Sequence, residues 1–160
     1  MNSWQALQAS YSKRFDFYSR SRRSEYWWVQ LACFLLIVLA ELLDSLVLGF
    51  SYEDKYSPLV IAVELVLFIP VAALTARRLH DVGITGWAQL PLFLVYGSYI
   101  PGFEGFPFNL EGKGMLGFAF FIVAAIYCFG LFMHLIQDSQ PEPNRYGPSP
   151  KDEGVAEVFN

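Results

Sequence analysis

Arg77, Arg78, His80 and Asp81 stand together in ARRLHDVGITGW, residues 76–87, directly after a long apolar run. An imidazole beside a carboxylate is a pair able to do acid–base work. Two adjacent guanidiniums can take phosphate or carboxylate in a bidentate grip. The rest of the chain narrows these options. Zinc would need further ligands at close spacing, such as H-x-x-x-H or C-x-x-C, and the only other histidine, His134, is far off. A serine hydrolase would show a G-x-S-x-G elbow and a nucleotide enzyme a Walker or dinucleotide loop. None of these occurs, so no catalytic residue, metal ligand or cofactor is assigned. The spacing has an architectural reading as well. Arg78 and Asp81 are three apart and placed to pair on a helix, while Arg77 is free to reach headgroup phosphate or a neighbour on the same helix.

A second set of chemical groups is Glu41, Asp44 and Glu64, which interrupt otherwise apolar runs. Each charge costs about 2.5–3.5 kcal/mol at a bilayer centre on insertion scales. Each Leu, Ile, Val or Phe returns about 0.3–0.6 kcal/mol, enough to offset acids that lie off centre. Two readings stay open: a proton or cation site facing the outside, or carboxylates that reach outer-side water or neutralise by a raised pKa.

Composition sets the elements that must carry these groups. The 160 residues are 54% hydrophobic, 18% aromatic and only 16% charged, well below the roughly one-quarter charged of soluble domains. Crossing a hydrocarbon core of about 30 Å takes about 20 helical residues. Apolar runs at 26–50, 58–76 and 115–136 meet or approach that length; a shorter one at 87–101 contains Pro91 and reads as a kinked span or re-entrant piece. The basic residues argue for counting it as a crossing. Lys13, Arg14, Arg20, Arg22, Arg23, Arg77, Arg78, Arg145 and Lys151 then all fall on one side, leaving Lys55 and Lys113 on the other. The positive-inside rule makes that side, with both termini, cytoplasmic. The expected fold is all-α: a polytopic membrane protein of four transmembrane helices forming one domain over 1–150, with a flexible acidic tail at 151–160.

The first apolar run reads as an uncleaved anchor, and a bacterial inner membrane is the simplest location. Cys33 and Cys128 lie inside apolar runs and read as small hydrophobes. Before the first span, Trp4, Leu7, Tyr11, Phe15 and Tyr18 recur at helical spacing, which predicts an interfacial amphipathic helix capped by Asn2 or Ser3. Tyr26, Trp27 and Trp28 suit an interfacial aromatic belt. In the 76–87 block, Gly83 is placed to end a helix in a left-handed conformation, Thr85 to cap the next, and Trp87 to anchor it at the interface.

Three blocks together, FDFYSRSRRSEYWW at 15–28, ARRLHDVGITGW at 76–87 and NRYGPSP at 144–150, resemble the small bacterial inner-membrane proteins grouped as domain of unknown function 805. Phe17, Arg20, Arg23, Glu25, Tyr26 and Trp27 fit the first family motif, with Ser19 where glycine is usual. Arg77, Arg78, Leu79, His80, Asp81, Gly83, Gly86 and Trp87 match the second, and Asn144, Arg145, Tyr146, Gly147 and Pro150 the third. The resemblance implies an integral membrane protein and carries no named activity. It adds that all three blocks lie on the cytoplasmic side. Glu25 and Asp81 are then expected to pair with arginines from other blocks, with the NRYG segment folded back over them.

The leading functional expectation is a non-catalytic binding or scaffold protein with a cytoplasmic cluster of Arg20, Arg23, Glu25, Arg77, Arg78, His80, Asp81, Asn144, Arg145 and Tyr146. Its partners would be the bilayer, anionic lipids, and a membrane protein or second copy. The alternatives are a small transporter or channel component using Glu41, Asp44 and Glu64, and third a lipid-headgroup enzyme. Nucleic acid is not expected, because the basic residues hug the membrane without a reading module.

Overall fold

The computed structural model describes residues 2–50, 57–97 and 114–151. Helix α1 (Ser3–Ser12) is followed by α2 (Arg23–Val47), α3 (Pro58–Asp81), a 3-10 turn (Gly86–Gln89), α4 (Leu90–Gly97) and α5 (Gly114–Ile136). The architecture is all-helical, with no strand among the described residues. Three stretches, Arg23–Val47, Pro58–Asp81 and Phe118–Ile136, are long and apolar enough to cross a membrane. Their outer faces expose Leu35, Leu39, Val66, Phe121 and Ile126, as a hydrocarbon solvent requires.

Of the segment at 87–101, expected to be a fourth transmembrane helix, residues 87–97 are described. Its described part is a 3-10 turn and the eight residues of α4, which rise only about 12 Å. Pro91 sits in the first turn of α4, where a missing N–H is tolerated. Residues 98–101, the loop acids Glu53, Asp54, Glu104 and Glu111 with Lys55 and Lys113, and the acidic tail from Asp152 lie outside the described residues. Lys151 is described and pairs with Asp138 at 2.9 Å on the exposed surface.

Helix α1 is capped as its sequence suggests. Asn2 Oδ1 accepts from Gln5 N at 2.9 Å, and Gln5 Oε1 accepts from Asn2 N at 3.0 Å. The helix is shorter than its aromatic spacing predicts and ends at Ser12, leaving Phe15 and Tyr18 beyond it. Asp16 supplies the reason: its carboxylate takes the backbone N–H groups of Tyr18 and Ser19 at 2.8 and 3.2 Å, and the Ser19 hydroxyl at 2.5 Å. Such local bonds compete with the helix. Burial alone pushes the Asp16 carboxyl up, but these donors together with the charge of Arg77 outweigh it and hold it below the usual carboxylate range. Ala6 and Ser10 form the buried side of α1, while Trp4 and Tyr11 stay exposed.

Tyr26, Val29, Cys33, Leu74, Leu79, Leu131 and Leu135 form the core where α2, α3 and α5 meet, with Leu7 of α1 packed against it. Tyr26 therefore turns inward and leaves the aromatic belt to Trp27 and Trp28, 38% and 42% exposed. Its hydroxyl accepts from Gln30 Nε2 at 2.8 Å, which makes burial of the ring affordable.

At the other end of α2, Asp44 is buried and joins two helices. Its carboxylate accepts from Leu59 N at 3.0 Å and from Val60 N at 3.3 Å. These are orphan donors in the first turn of α3, whose own cap residue, Ser57, makes no side-chain bond. Asp44 is thus an N-cap contributed from a neighbouring helix, favoured also by the helix dipole. Asp44→Ala is expected to lower stability in detergent by about 1–2 kcal/mol, the usual worth of a lost cap. Asp44→Asn, which keeps an acceptor, should lose clearly less; equal loss in denaturant titrations of the two variants would refute the capping role.

Candidate functional site: a buried arginine cluster

Every residue of α3 from Ala72 to Asp81 is buried. A helix packed on one side hides only one face, so burial all round means that other segments encircle this end. They are the 13–21 turn, the start of α2, the 3-10 turn, the end of α5 and the 137–149 tail.

Arg77, Arg78 and Asp81 are 0% exposed and Arg20 only 5%. Arg20 reaches Asp81 from the N-terminal block, with Nε bonded to Oδ1 at 3.1 Å. Its Nη1 donates to the carbonyls of Glu142 and Gly147 at 3.0 and 3.2 Å, and Nη2 to those of Gln140 and Asp81 at 2.7 and 3.3 Å. All three nitrogens of this planar fork are engaged. Arg78 Nη1 holds the other oxygen of Asp81 at 2.5 Å. Its Nε donates to Leu135 O at 3.1 Å, and Nη2 bonds Gln137 O. Arg23 Nη1 takes Ile136 O at 3.3 Å. Helices end with unsatisfied carbonyls and partial negative charge. Arg78 and Arg23 together cap α5 in trans.

Arg77 does not reach headgroup phosphate or a partner on its own helix. The 13–21 segment crosses in front of it, and its Nη1 bonds the carbonyls of Lys13 and Asp16, the latter at 3.0 Å. Nη2 lies 3.4 Å from Glu25 Oε1. Thus Glu25 pairs with Arg77 and Asp81 with Arg20, each across blocks far apart in sequence.

The NRYG segment folds over this assembly. Asn144 and Gly147 bond each other's backbone at 3.1 and 2.9 Å in a tight turn, with Gly147 at φ +121°. Asn144 Nδ2 donates to His80 O at 3.0 Å and to Gln140 Oε1 at 2.9 Å. The Tyr146 ring stacks flat on His80 at 3.7 Å and 6°. Arg145 lies over the same Tyr146 ring at 4.7 Å and is exposed. Thus His80 is covered by an aromatic ring on one face, with its Nδ1 3.4 Å from Ser19 O.

The 82–87 turn is built as its residues suggest. Gly83 has φ +81°, and Thr85 Oγ1 accepts from Trp87 N at 3.4 Å, leaving the Trp87 ring 78% exposed. Gly86 is there for closeness: a Cβ would lie 2.7 Å from that of Ala76 and 3.3 Å from His80 Nε2. Trp27 meets Phe132 edge-on at 6.0 Å. Glu41, Asp44 and Glu64 lie elsewhere, toward the other ends of α2 and α3. Asp44 is committed to its cap, and Glu41 and Glu64 are half-buried without a hydrogen bond or ion pair among the described residues. Sequence reading misses Gln140, Ser149 and the carbonyl acceptors. Gln140 alone receives from Arg20, Asn144 and Ser149 and donates to Val82 O.

This geometry coincides with a known sequence family. The family described as protein of unknown function, DUF805, matches residues 14–148. The chain belongs to this family. The matched region includes Arg20, Asp81 and the NRYG turn. Inner membrane protein YhaH of Escherichia coli strain K12 is 29% identical over 135 residues, covering 84% of this chain and 87% of that protein. The YhaH of Escherichia coli O157:H7 matches to the same extent. No solved structure matches. With its apolar helices, this DUF805 member is an integral membrane protein.

Proposed function

We propose that this DUF805 protein is a non-catalytic inner-membrane scaffold, with both termini cytoplasmic and the arginine cluster acting as its internal lock. One observation carries the reading: Arg20, Arg78 and Asp81 spend their hydrogen-bonding capacity on the protein itself, at 5% exposure or less. A site for phosphate chemistry would leave guanidinium donors open to its ligand. His80, the one candidate acid or base, is stacked beneath Tyr146. What the lock presents outward is an edge bearing Arg23 and Arg145, suited to an acidic segment of a membrane-protein partner.

The orientation has structural support. The starts of α2 and the ends of α3 and α5 converge on the cluster, so its basic residues gather at one end, which the positive-inside rule assigns to the cytoplasm. Helix α3 ends at the cluster and α5 starts away from it and runs back toward it, which supports a fourth crossing between them.

Thiol labelling of single cysteines at Ser24 and Arg145 is expected to require inside-out vesicles. Affinity capture from native inner membranes is expected to return a protein partner that an R23Q/R145Q double variant loses. Labelling of both cysteines in intact spheroplasts would overturn the orientation. Turnover of a phospholipid headgroup, abolished by H80A in a folded protein, would overturn the non-catalytic reading.

A transport reading rests on Glu41 and Glu64, half-buried acids in apolar helices with no ion-pair partner among the described residues. Cation flux into liposomes that disappears in E64Q would carry it.

A further inference from the structure

Beside the cluster, α1 arches over the crevice between α2 and α3 and leaves a groove of about 500 Å³. Leu7 forms its edge on α1, Val29, Ala32 and Leu36 its wall on α2, and Val66 and Pro70 its wall on α3. From Val29 to Leu36 the groove follows about 10 Å of helix at 1.5 Å per residue. Pro70 lacks an N–H, so the carbonyl of residue 66 has no helical donor at this depth. Both long walls belong to membrane-crossing helices, and Leu36 and Val66 are 47% and 74% exposed. Whatever enters from that side comes from hydrocarbon.

Arg14 also lines the groove and gives it a charged end. Unlike Arg20 and Arg78, it is only partly engaged. Nη1 donates to Tyr11 O at 3.0 Å, and the guanidinium lies over the Tyr11 and Phe15 rings at 4.6 and 5.2 Å. Nε and Nη2 make no hydrogen bond among the described residues. The neighbouring acid in sequence, Asp16, is turned to Ser19. An apolar slot open to the bilayer, with a guanidinium held by two aromatic rings at its polar end, complements one molecule: an amphiphile with a fatty tail and an anionic head.

We infer that the groove binds an anionic phospholipid of the host membrane, one acyl chain lying between α2 and α3 and the headgroup phosphate held by Arg14. This rests on the reading that the α1 end of the helices lies at headgroup level, and it deepens the scaffold proposal by naming a lipid as part of the folded unit. The lipid would tie α1 to the helix pair and keep the 13–21 segment seated on Arg77.

Native mass spectrometry of the full chain in detergent tests it, with dioleoyl phosphatidylglycerol and dioleoyl phosphatidylcholine as probes. Wild type is expected to retain one phosphatidylglycerol about fivefold more strongly than phosphatidylcholine, in line with about 1 kcal/mol per basic contact at an anionic head. R14Q should bring the two lipids to parity. A32F, or L36W if A32F does not fold, should remove both by filling the slot. R145Q, which lies off the groove, should keep the preference. Equal retention of both lipids by wild type, an unchanged preference in R14Q, a loss in R145Q as large as in R14Q, or a dimer in place of bound lipid that L36W dissolves would each overturn it. Detergent binding does not depend on orientation, so a failure of the topology labelling leaves this result separately readable.

Discussion

Asp81→Ala is expected to be the most damaging single change in the protein, lowering stability by about 3–5 kcal/mol. The carboxylate sits between two buried guanidiniums, with Arg20 Nη2 at 3.0 Å and Arg78 Nη1 at 2.5 Å, and neither arginine can turn to water. Removing it leaves two buried charges facing each other, and the cost comes from that uncompensated pair more than from the lost bonds. Folded proteins have only about 5–15 kcal/mol in hand, so a large share of the population should fail to reach the membrane intact. Denaturant titration in detergent, followed by helix signal, reads the effect. Asp81→Asn should lose less, because an amide oxygen still accepts from one arginine. A stability change below about 1 kcal/mol for Asp81→Ala would refute the lock, since surface ion pairs are worth no more than that.

The second large effect is expected at Arg20. This side chain joins the 13–21 turn, the end of α3 and three carbonyls of the tail, at Gln140, Glu142 and Gly147. Arg20→Ala should therefore cost stability on the same scale and also release the tail, seen as rapid proteolysis between Gln137 and Pro150. Arg20→Lys discriminates charge from shape. An ammonium supplies three donors from one point and cannot span acceptors that the planar guanidinium meets on two edges. The lysine variant should keep the pairing with Asp81 yet still show tail cleavage. If it is as protease-resistant as the native protein, the cluster works by charge alone and the fork geometry is irrelevant.

A physical division separates what is legible in the residue string from what is not. Local features are legible, because their partners lie within one turn of chain: the Asn2 cap, the left-handed Gly83, the Thr85 cap and the i,i+3 pair of Arg78 with Asp81. Apolar length identifies the spanning helices for the same reason, since a bilayer imposes a fixed number of residues on each crossing. The family resemblance implies that Glu25, Asp81 and the NRYG turn share one neighbourhood. That Arg77 is the partner of Glu25 and Arg20 the second partner of Asp81 follows only from the packing.

One expectation failed where a local bond competed with a periodic pattern. The aromatic spacing through Tyr18 predicts a longer α1, but Asp16 and Ser19 close a turn first. Hydrophobic periodicity says which face is apolar without saying where the backbone stops being helical.

The amino-acid sequence alone determines that this chain is an all-helical membrane protein, that all its basic residues but Lys55 and Lys113 are expected at one end, and that 76–87 is a helix end followed by a tight turn. Only the tertiary structure decides what the arginines hold. Most of their acceptors are backbone carbonyls, at Lys13, Asp16, Leu135, Gln137, Gln140, Glu142 and Gly147, and every residue carries one, so composition cannot mark them. It likewise decides that Asp44 caps a neighbouring helix and that Arg14 keeps free donors at an apolar groove, because which donor meets which acceptor depends on how the helices pack.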